Sequence, residues 1–311
     1  MIDVAIIGTG IAGLACARRL TQAGMRPVLF DKGRGIGGRI ATRRADGLQF
    51  DHGAQHVTAR GADFAAVLQG LVDAGAAARW TDGAGRGRIV GTPGMSALAR
   101  GLAAGLEIRQ GVPVTGLRPE AAGWSLHAAG AQHRAARVVV TVPAPQVAGL
   151  LGADHPLVPA LQGVRLAPCL TLMAAIAAPA SFVSREDPGD PLAWIAQDGS
   201  KPGRPGGGAA TWVAQAGPAF SAAHLERTPA DLVAQMLPML CRRLDVDSDR
   251  VVHAAAHRWR HARVTAPLGQ PFLRDAPGRL YLGGDWCLGP RVEAAWTSGT
   301  AIAEDLLERA R

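Results

Sequence analysis

Few folds accommodate the run Asp3-Val4-Ala5-Ile6-Ile7-Gly8-Thr9-Gly10-Ile11-Ala12-Gly13 near an amino terminus. An apolar strand passes into a glycine turn and then into a helix of small residues. Gly8 permits the tight turn, Gly10 lets backbone approach a pyrophosphate, and Gly13 lets helix and strand pack closely. The first helical N–H groups, at Ile11 and Ala12, sit at the positive end of the helix dipole and suit phosphate oxygens. Asp31 closes a second short strand, Pro27 to Phe30, at the spacing of an acid that accepts hydrogen bonds from an adenosine ribose. The pattern predicts a Rossmann-like unit and a dinucleotide, leaving NAD and FAD both open.

The segment after Asp31 separates them. A NAD domain would pass directly into another helix and strand, but here Lys32 begins a basic glycine loop through Gly37-Gly38-Arg39 to Arg44. Arginine's planar fork grips phosphate oxygens in pairs, so Gly38-Arg39 is expected to reach the diphosphate. Near the other end, Arg279-Leu280-Tyr281-Leu282-Gly283-Gly284-Asp285 reads as a strand ending in glycines and an acid able to bind a polyol. The run Trp286 to Gly299 and a helix to the carboxyl end follow, and a second helix amino terminus can stabilise negative charge on a ring above it. The chain thus reaches one ligand from both ends, as extended, non-covalent FAD requires.

The chain of 311 residues is long enough for two domains. Its formal charge of +8 is almost all arginine, since lysine occurs only at Lys32 and Lys201. No basic helix with interleaved aromatics accompanies that charge, so no nucleic-acid partner is expected. The four cysteines, Cys16, Cys169, Cys241 and Cys287, form no C-x-x-C pair, which fits neither a disulfide framework nor zinc and points to a reducing cytoplasm. The apolar amino terminus carries Asp3 and lacks a basic leader, so it is not read as a signal peptide. No run of about eighteen apolar residues predicts a membrane span.

Between the two ends, helices are expected at 61–75 and 94–106, then a β-meander of 106–109, 112–117, 124–128 and 133–141. The last of these, apolar before Pro143, should return to the central parallel sheet. From about 155 to 270, strand-like runs (164–177, 192–197, 209–215, 251–261) accompany one helical segment, 229–244, which Pro238 should kink or split. Lys201 to Gly208 reads as a solvated loop. As a strand, 251–261 places His253, His257, Trp259 and His261 on one face. Residues four apart then lie about 13 Å apart, too far to share a metal, so that face either meets a flat ligand or is ordinary packing. The expected fold class is α/β and α+β. A discontinuous Rossmann-like FAD-binding domain (1–60, 95–150 and 271–311) is joined by a substrate domain (61–94 and 151–270) built on an antiparallel sheet with helices.

At these motifs the sequence resembles the FAD-dependent amine-oxidase-like superfamily, and specifically its bacterial renalase-like branch. The shared stretches include the opening fingerprint, Asp31-Lys32 with Gly37-Gly38-Arg39, Asp51 to Gln55 with Thr58-Ala59-Arg60, and Pro93-Gly94-Met95-Ser96. Further on come Ser200-Lys201-Pro202-Gly203-Arg204, His257-Arg258-Trp259, and Gly284-Asp285-Trp286-Cys287 through Arg291-Val292-Glu293 to Ser298-Gly299. The resemblance implies that Asp31, next to Lys32, holds the adenosine ribose, Arg39 the diphosphate and Asp285 the ribityl chain. Backbone at Val114 would meet adenine, Ala54 and Gln55 would line the cofactor, and backbone at Val292 and Glu293 would face the flavin pyrimidine edge. It also implies oxidation of dihydro isomers of NAD(P) to NAD(P)+, with a nicotinamide dinucleotide isomer as the small-molecule substrate. Gln55, Trp212, His257, Trp259 and Arg291 are the substrate-face candidates, core packing being the other reading for each tryptophan. Two departures, His56-Val57 in place of two aromatics and a short segment between Trp80 and Pro93, fall near substrate entry. The competing expectations are an amine oxidase or desaturase on the same fold, and a non-catalytic flavin-binding sensor.

Overall fold

The computed structural model describes residues 1–310, which divide into two compact units. The first comprises residues 1–38, 99–166 and everything from Val264 onward. Its sheet runs in the order Phe272–Arg274, Leu280–Gly283, Ala131–Val140, Ile2–Ile7, Pro27–Asp31, Glu107–Gln110. All neighbours are parallel except Phe272–Arg274, which is antiparallel to Leu280–Gly283. Val4 to Ile7 are buried, as a parallel strand covered on both faces requires. The registers Ile7↔Phe30, Ile7↔Val140 and Val140↔Leu282 bring the carboxyl ends of four strands level, so the loops after them share one edge.

The last strand of the expected meander does rejoin the parallel sheet beside Ile2–Ile7. The first does not belong to a meander. Glu107–Gln110 pairs parallel to Pro27–Asp31, in register from Val28↔Glu107 to Asp31↔Gln110. A parallel neighbour needs a long crossover, and the Ser96–Ala103 helix just before the strand belongs to one. Only Val114–Glu120 and Gly123–Ala128 form the antiparallel extension. Helices Ile11–Gln22 and Val292–Glu308 pack so tightly that a Cβ on Gly299 would overlap the Ala12 carbonyl oxygen.

The second unit comprises residues 39–98 and 167–263. Its sheet has the order Ser184–Glu186, Trp194–Gln197, Ala210–Gln215, Arg165–Ile176, Val251–Ala266. The core joins this sheet to the Pro229–Leu244 helix through Leu170, Leu172, Ile195, Trp212, Leu232, Met236 and Leu240. Thr228 and Asp231 form a capping box at the helix start. Pro238 does not split the helix. It and Ala234, whose carbonyl loses its partner, are both exposed, so water replaces the missing bond while Leu232, Met236, Leu240 and Leu244 stay buried along one stripe. Two hairpins, Arg43–Ala45 with Leu48–Phe50 and Ala77–Thr81 with Gly87–Gly91, complete this unit with the Ala62–Asp73 helix. No helix among the described residues is long and apolar enough to cross a membrane.

Candidate functional site

In the first unit the dinucleotide fingerprint is assembled at the carboxyl edge of the sheet. Gly8, at φ +107°, adopts a conformation that disfavours a side chain. A Cβ on Gly13 would overlap the Gly8 carbonyl oxygen, which explains the close turn-to-helix packing. Space over Gly10 is open: a Cβ there would meet nothing within 4 Å, and the Ile11–Gln22 helix starts without a side-chain cap. Its first N–H groups remain available to an anion. Asp31 is held in place, its Oδ2 accepting from Thr9 N–H at 2.7 Å and Thr9 Oγ1 at 2.6 Å, and its Oδ1 from Gly33 N–H at 2.7 Å. Gly37 N–H donates to the Thr9 carbonyl at 2.9 Å, and Gly38 follows at φ +54°. Lys32 is exposed, and Val114 is half-buried opposite Ala128.

The second predicted cradle lies in the same unit. Gly284 N–H donates to Ser298 Oγ at 2.9 Å. Asp285 is buried, and its carbonyl accepts from the N–H groups of Leu288 at 2.9 Å and Gly289 at 2.7 Å. The Val292–Glu308 helix also begins without a side-chain cap, and Arg291 pairs with Glu293 across its first turn. Open space at Gly10, two uncapped helix starts and an oriented carboxylate fit the diphosphate, ribose and ring charge of a flavin dinucleotide.

The second unit builds the Asp51–Gln55 turn from almost every polar group available. Asp51 N–H donates to Asp198 Oδ2 at 3.1 Å, and Ala54 N–H to the Arg39 carbonyl at 2.8 Å. Carbonyls accept from side chains in turn: Asp51 from Gln55 Nε2, His52 from Trp259 Nε1 at 2.8 Å, Gly53 from Gln55 Nε2 at 3.1 Å and from Gln215 Nε2 at 2.7 Å. A Cβ on Gly53 would overlap the Arg39 carbonyl oxygen. The Gln55 oxygen accepts from Lys201 Nζ at 3.1 Å, so both ends of that amide serve the turn. The Arg39 guanidinium donates to the carbonyls of His261 at 3.4 Å and Ala262 at 3.1 Å.

Lys201 and Arg204 do not lie in a solvated loop. Their side chains are 0% and 1% exposed, against two equally buried carboxylates. Lys201 Nζ lies 2.6 Å from Asp198 Oδ1 and 3.6 Å from Asp51 Oδ2, and Arg204 Nη2 pairs with Asp51. Two cations balance two anions, which is what makes burial of all four tolerable. Burial pushes the Asp51 carboxyl up, but Lys201, Arg204, Met95 N–H and the Thr42 hydroxyl outweigh it and hold it below the usual range. Asp198 titrates above its usual range, raised first by burial and then by the Asp51 charge, against the pull of Lys201.

Beside this network His52, His257 and Trp259 form a triad of rings. Centroids are 4.8 Å apart for His52–His257, 5.1 Å for His52–Trp259 and 4.4 Å for His257–Trp259. Burial, then the His257 and Arg43 charges, lowers His52 to about 4. Burial lowers His257 too, with Arg43 and Arg258 adding to it. Both imidazoles are therefore neutral and weakly basic at neutral pH. Trp212, by contrast, is 1% exposed, with its ring against Phe182 at 5.1 Å in the apolar core. Asp198 and the ring of His52 were not singled out from sequence. His52 lies within the Asp51–Gln55 motif, while an isolated aspartate at 198 carries no local signal.

Residues 6–71 match the NAD(P)-binding Rossmann-like domain, and residues 72–307 match the family described as flavin containing amine oxidoreductase. A protein from Exiguobacterium sp. 255-15 assigned to the protoporphyrinogen oxidases has a similar structure, with a TM-score of 0.79 at 15% identity over 99% of each chain. Putrescine oxidase bound to putrescine matches at a TM-score of 0.71 and 15% identity, over 100% of this chain and 99% of that one. Among curated relatives, the 4,4'-diapophytoene desaturase (4,4'-diaponeurosporene-forming) of Staphylococcus haemolyticus (strain JCSC1435) is 40% identical over 52 residues. That stretch is 17% of this chain and 10% of the desaturase.

Proposed function

The chain belongs to the flavin-containing amine oxidoreductases and uses FAD, and on that premise we propose that it oxidises a 2- or 6-dihydro isomer of NAD(P) to NAD(P)+. Bound FAD supplies the hydride acceptor, N5 of its ring. In this reading Gly8, Gly10, Ile11, Ala12 and Gly13 cradle the diphosphate, and Asp31 the adenosine ribose. Asp285 takes the ribityl chain, and the amino terminus of the Val292–Glu308 helix the charge of the reduced ring. Lys201 and Gln55 act as struts that hold the Asp51–Gln55 turn.

The observation that carries the substrate reading is the ring triad. A dihydropyridine releases hydride because its ring regains aromaticity, so it needs alignment against the acceptor and dry surroundings rather than a strong base. His257 and Trp259 offer flat, partly buried surfaces, and the low basicity of His52 and His257 makes them poor proton acceptors. Arg291, paired with Glu293, is the remaining substrate-face candidate. The test is product analysis. Aerobic incubation with purified 6-dihydro-NAD should yield one NAD+ for each substrate consumed, and recovery of unchanged isomer would refute the reading.

A second reading, oxidation of an amine, is favoured by the family's description and by the fold shared with putrescine oxidase. Rapid loss of flavin colour with a primary amine, and none with the dihydro isomers, would establish it instead.

A further inference from the structure

Two polar atoms beside the Asp51–Gln55 turn are covered and unanswered. Trp194 begins the Trp194–Gln197 strand directly opposite Gln215, and residues opposite one another across a sheet project from the same face. Gln215 Nε2 donates to the Gly53 carbonyl at 2.7 Å, while the next residue along the first strand, Ile195, packs in the core on the other face. Trp194 therefore stands on the face that meets the turn. His56 follows directly on Gln55, whose amide is held at both ends. The His56 and Trp194 rings are neighbours, with centroids 5.6 Å apart and planes tilted by 46°. Both residues are half-buried, yet His56 Nδ1 and Trp194 Nε1 are fully covered, and among the described residues neither atom has a hydrogen-bond partner.

A covered polar atom without a partner is costly, so a ligand that answers it gains what the free protein forgoes. The indole N–H can only donate. Burial lowers His56 to about 4, so its imidazole is neutral at neutral pH and, with the proton on Nε2, presents an acceptor at Nδ1. One donor beside one acceptor selects among small polar groups. An ammonium only donates and leaves the indole unmatched, while a carboxylate only accepts and sets its lone pairs against Nδ1. A primary carboxamide carries both an NH2 and an acceptor oxygen. We propose that His56 and Trp194 form a subsite for a primary carboxamide, His56 Nδ1 accepting from its NH2 and Trp194 Nε1 donating to its oxygen as the His56 ring turns to admit it. This subsite rests on the reading that the substrate is a dihydronicotinamide, whose ring bears such a group, and it names the residues that would tell one from an amine or polyene.

The experiment is equilibrium calorimetry on the FAD-saturated protein at neutral pH, with benzamide, with acetophenone, which keeps the carbonyl but has methyl in place of NH2, and with benzylamine. The wild-type protein should bind benzamide about tenfold more tightly than acetophenone, and benzylamine more weakly than either. His56→Phe should erase the preference for benzamide over acetophenone. Trp194→Phe should weaken both carbonyl ligands by a similar factor and keep their ratio, with the flavin absorption spectrum unchanged in each variant. If Trp194→Phe does not fold, the loss of preference in His56→Phe still decides the matter. Equal binding of benzamide and acetophenone by wild type, a preference that survives in His56→Phe, or tighter binding of benzylamine would overturn the subsite. So would a crystal structure grown with benzamide in which only a water bridges the two nitrogens. Benzamide bound through His56 and Trp194 in a protein whose flavin no dihydronicotinamide reduces would refute the substrate reading while sustaining the subsite.

Discussion

Replacing Lys201 by Met tests the buried charge network. Lys201, Asp198 and Asp51 have fully buried side chains and Arg204 is 1% exposed, so the variant leaves two carboxylates against one guanidinium in dry surroundings. Removing one partner of a buried pair costs about 3–5 kcal/mol. Asp198 can relieve part of this by taking up a proton, since burial and the Asp51 charge already raise it. A carboxyl with a raised pKa in the fold binds more protons folded than unfolded, so the deficit of Lys201→Met should be largest at alkaline pH and shrink as the pH falls. The double variant Lys201→Met with Asp198→Asn removes both charges and should recover at least about 2 kcal/mol of the loss, because a neutral replacement of a buried pair is often tolerated. Urea unfolding at a fixed saturating FAD concentration, followed by tryptophan fluorescence and extrapolated linearly, gives each value. The reasoning fails if the single variant lies within about 1 kcal/mol of wild type, or if the double variant is no more stable than the single at alkaline pH.

Three further outcomes rest on the geometry. Gly299→Ala places a methyl on the Ala12 carbonyl oxygen, so the two helices must separate, and stability should fall by about 1–3 kcal/mol; an unchanged melting temperature would contradict that packing. Asp31→Ala removes the acceptor of the Thr9 and Gly33 N–H groups together with the proposed ribose contact, and FAD titration should show at least about tenfold weaker binding. His52 and His56 both titrate at about 4, chiefly through burial. Unfolding lets each return to about 6.5 and bind a proton between those values. Their stabilisation is complete above about pH 6.5 and is lost as the pH falls to about 4, by about 3 kcal/mol for each histidine. A flat unfolding free energy across that window would disprove the burial argument.

The nucleotide half is legible because its signals are local. The buried run Val4 to Ile7, the turn at Gly8 and the close packing at Gly13 lie within one short stretch, and Asp31 marks itself as the acid that ends the next apolar strand. The partner of Glu107–Gln110 is not local, since a four-residue edge strand looks the same in a meander as beside a parallel strand. Pro238 misleads for a related reason, because the tolerance of that helix depends on which face meets water. The Lys201–Gly208 segment is irregular, as its composition predicts. The burial of Arg204 is set by Asp51, 153 positions away, and no window of sequence contains both. Trp212 lies between Thr211 and Val213, all three buried, so strand alternation could not separate a core tryptophan from one facing a ligand.

The most direct test of the central claim is anaerobic stopped-flow reduction of the bound flavin, followed by loss of its visible absorbance. Purified 2- and 6-dihydro-NAD, ordinary NADH and a primary amine would each be mixed with the same protein. Oxidation of dihydronicotinamide isomers predicts rapid bleaching by at least one isomer and far slower bleaching by NADH and the amine. Equally slow bleaching by all of them, or fastest bleaching by the amine, would contradict it.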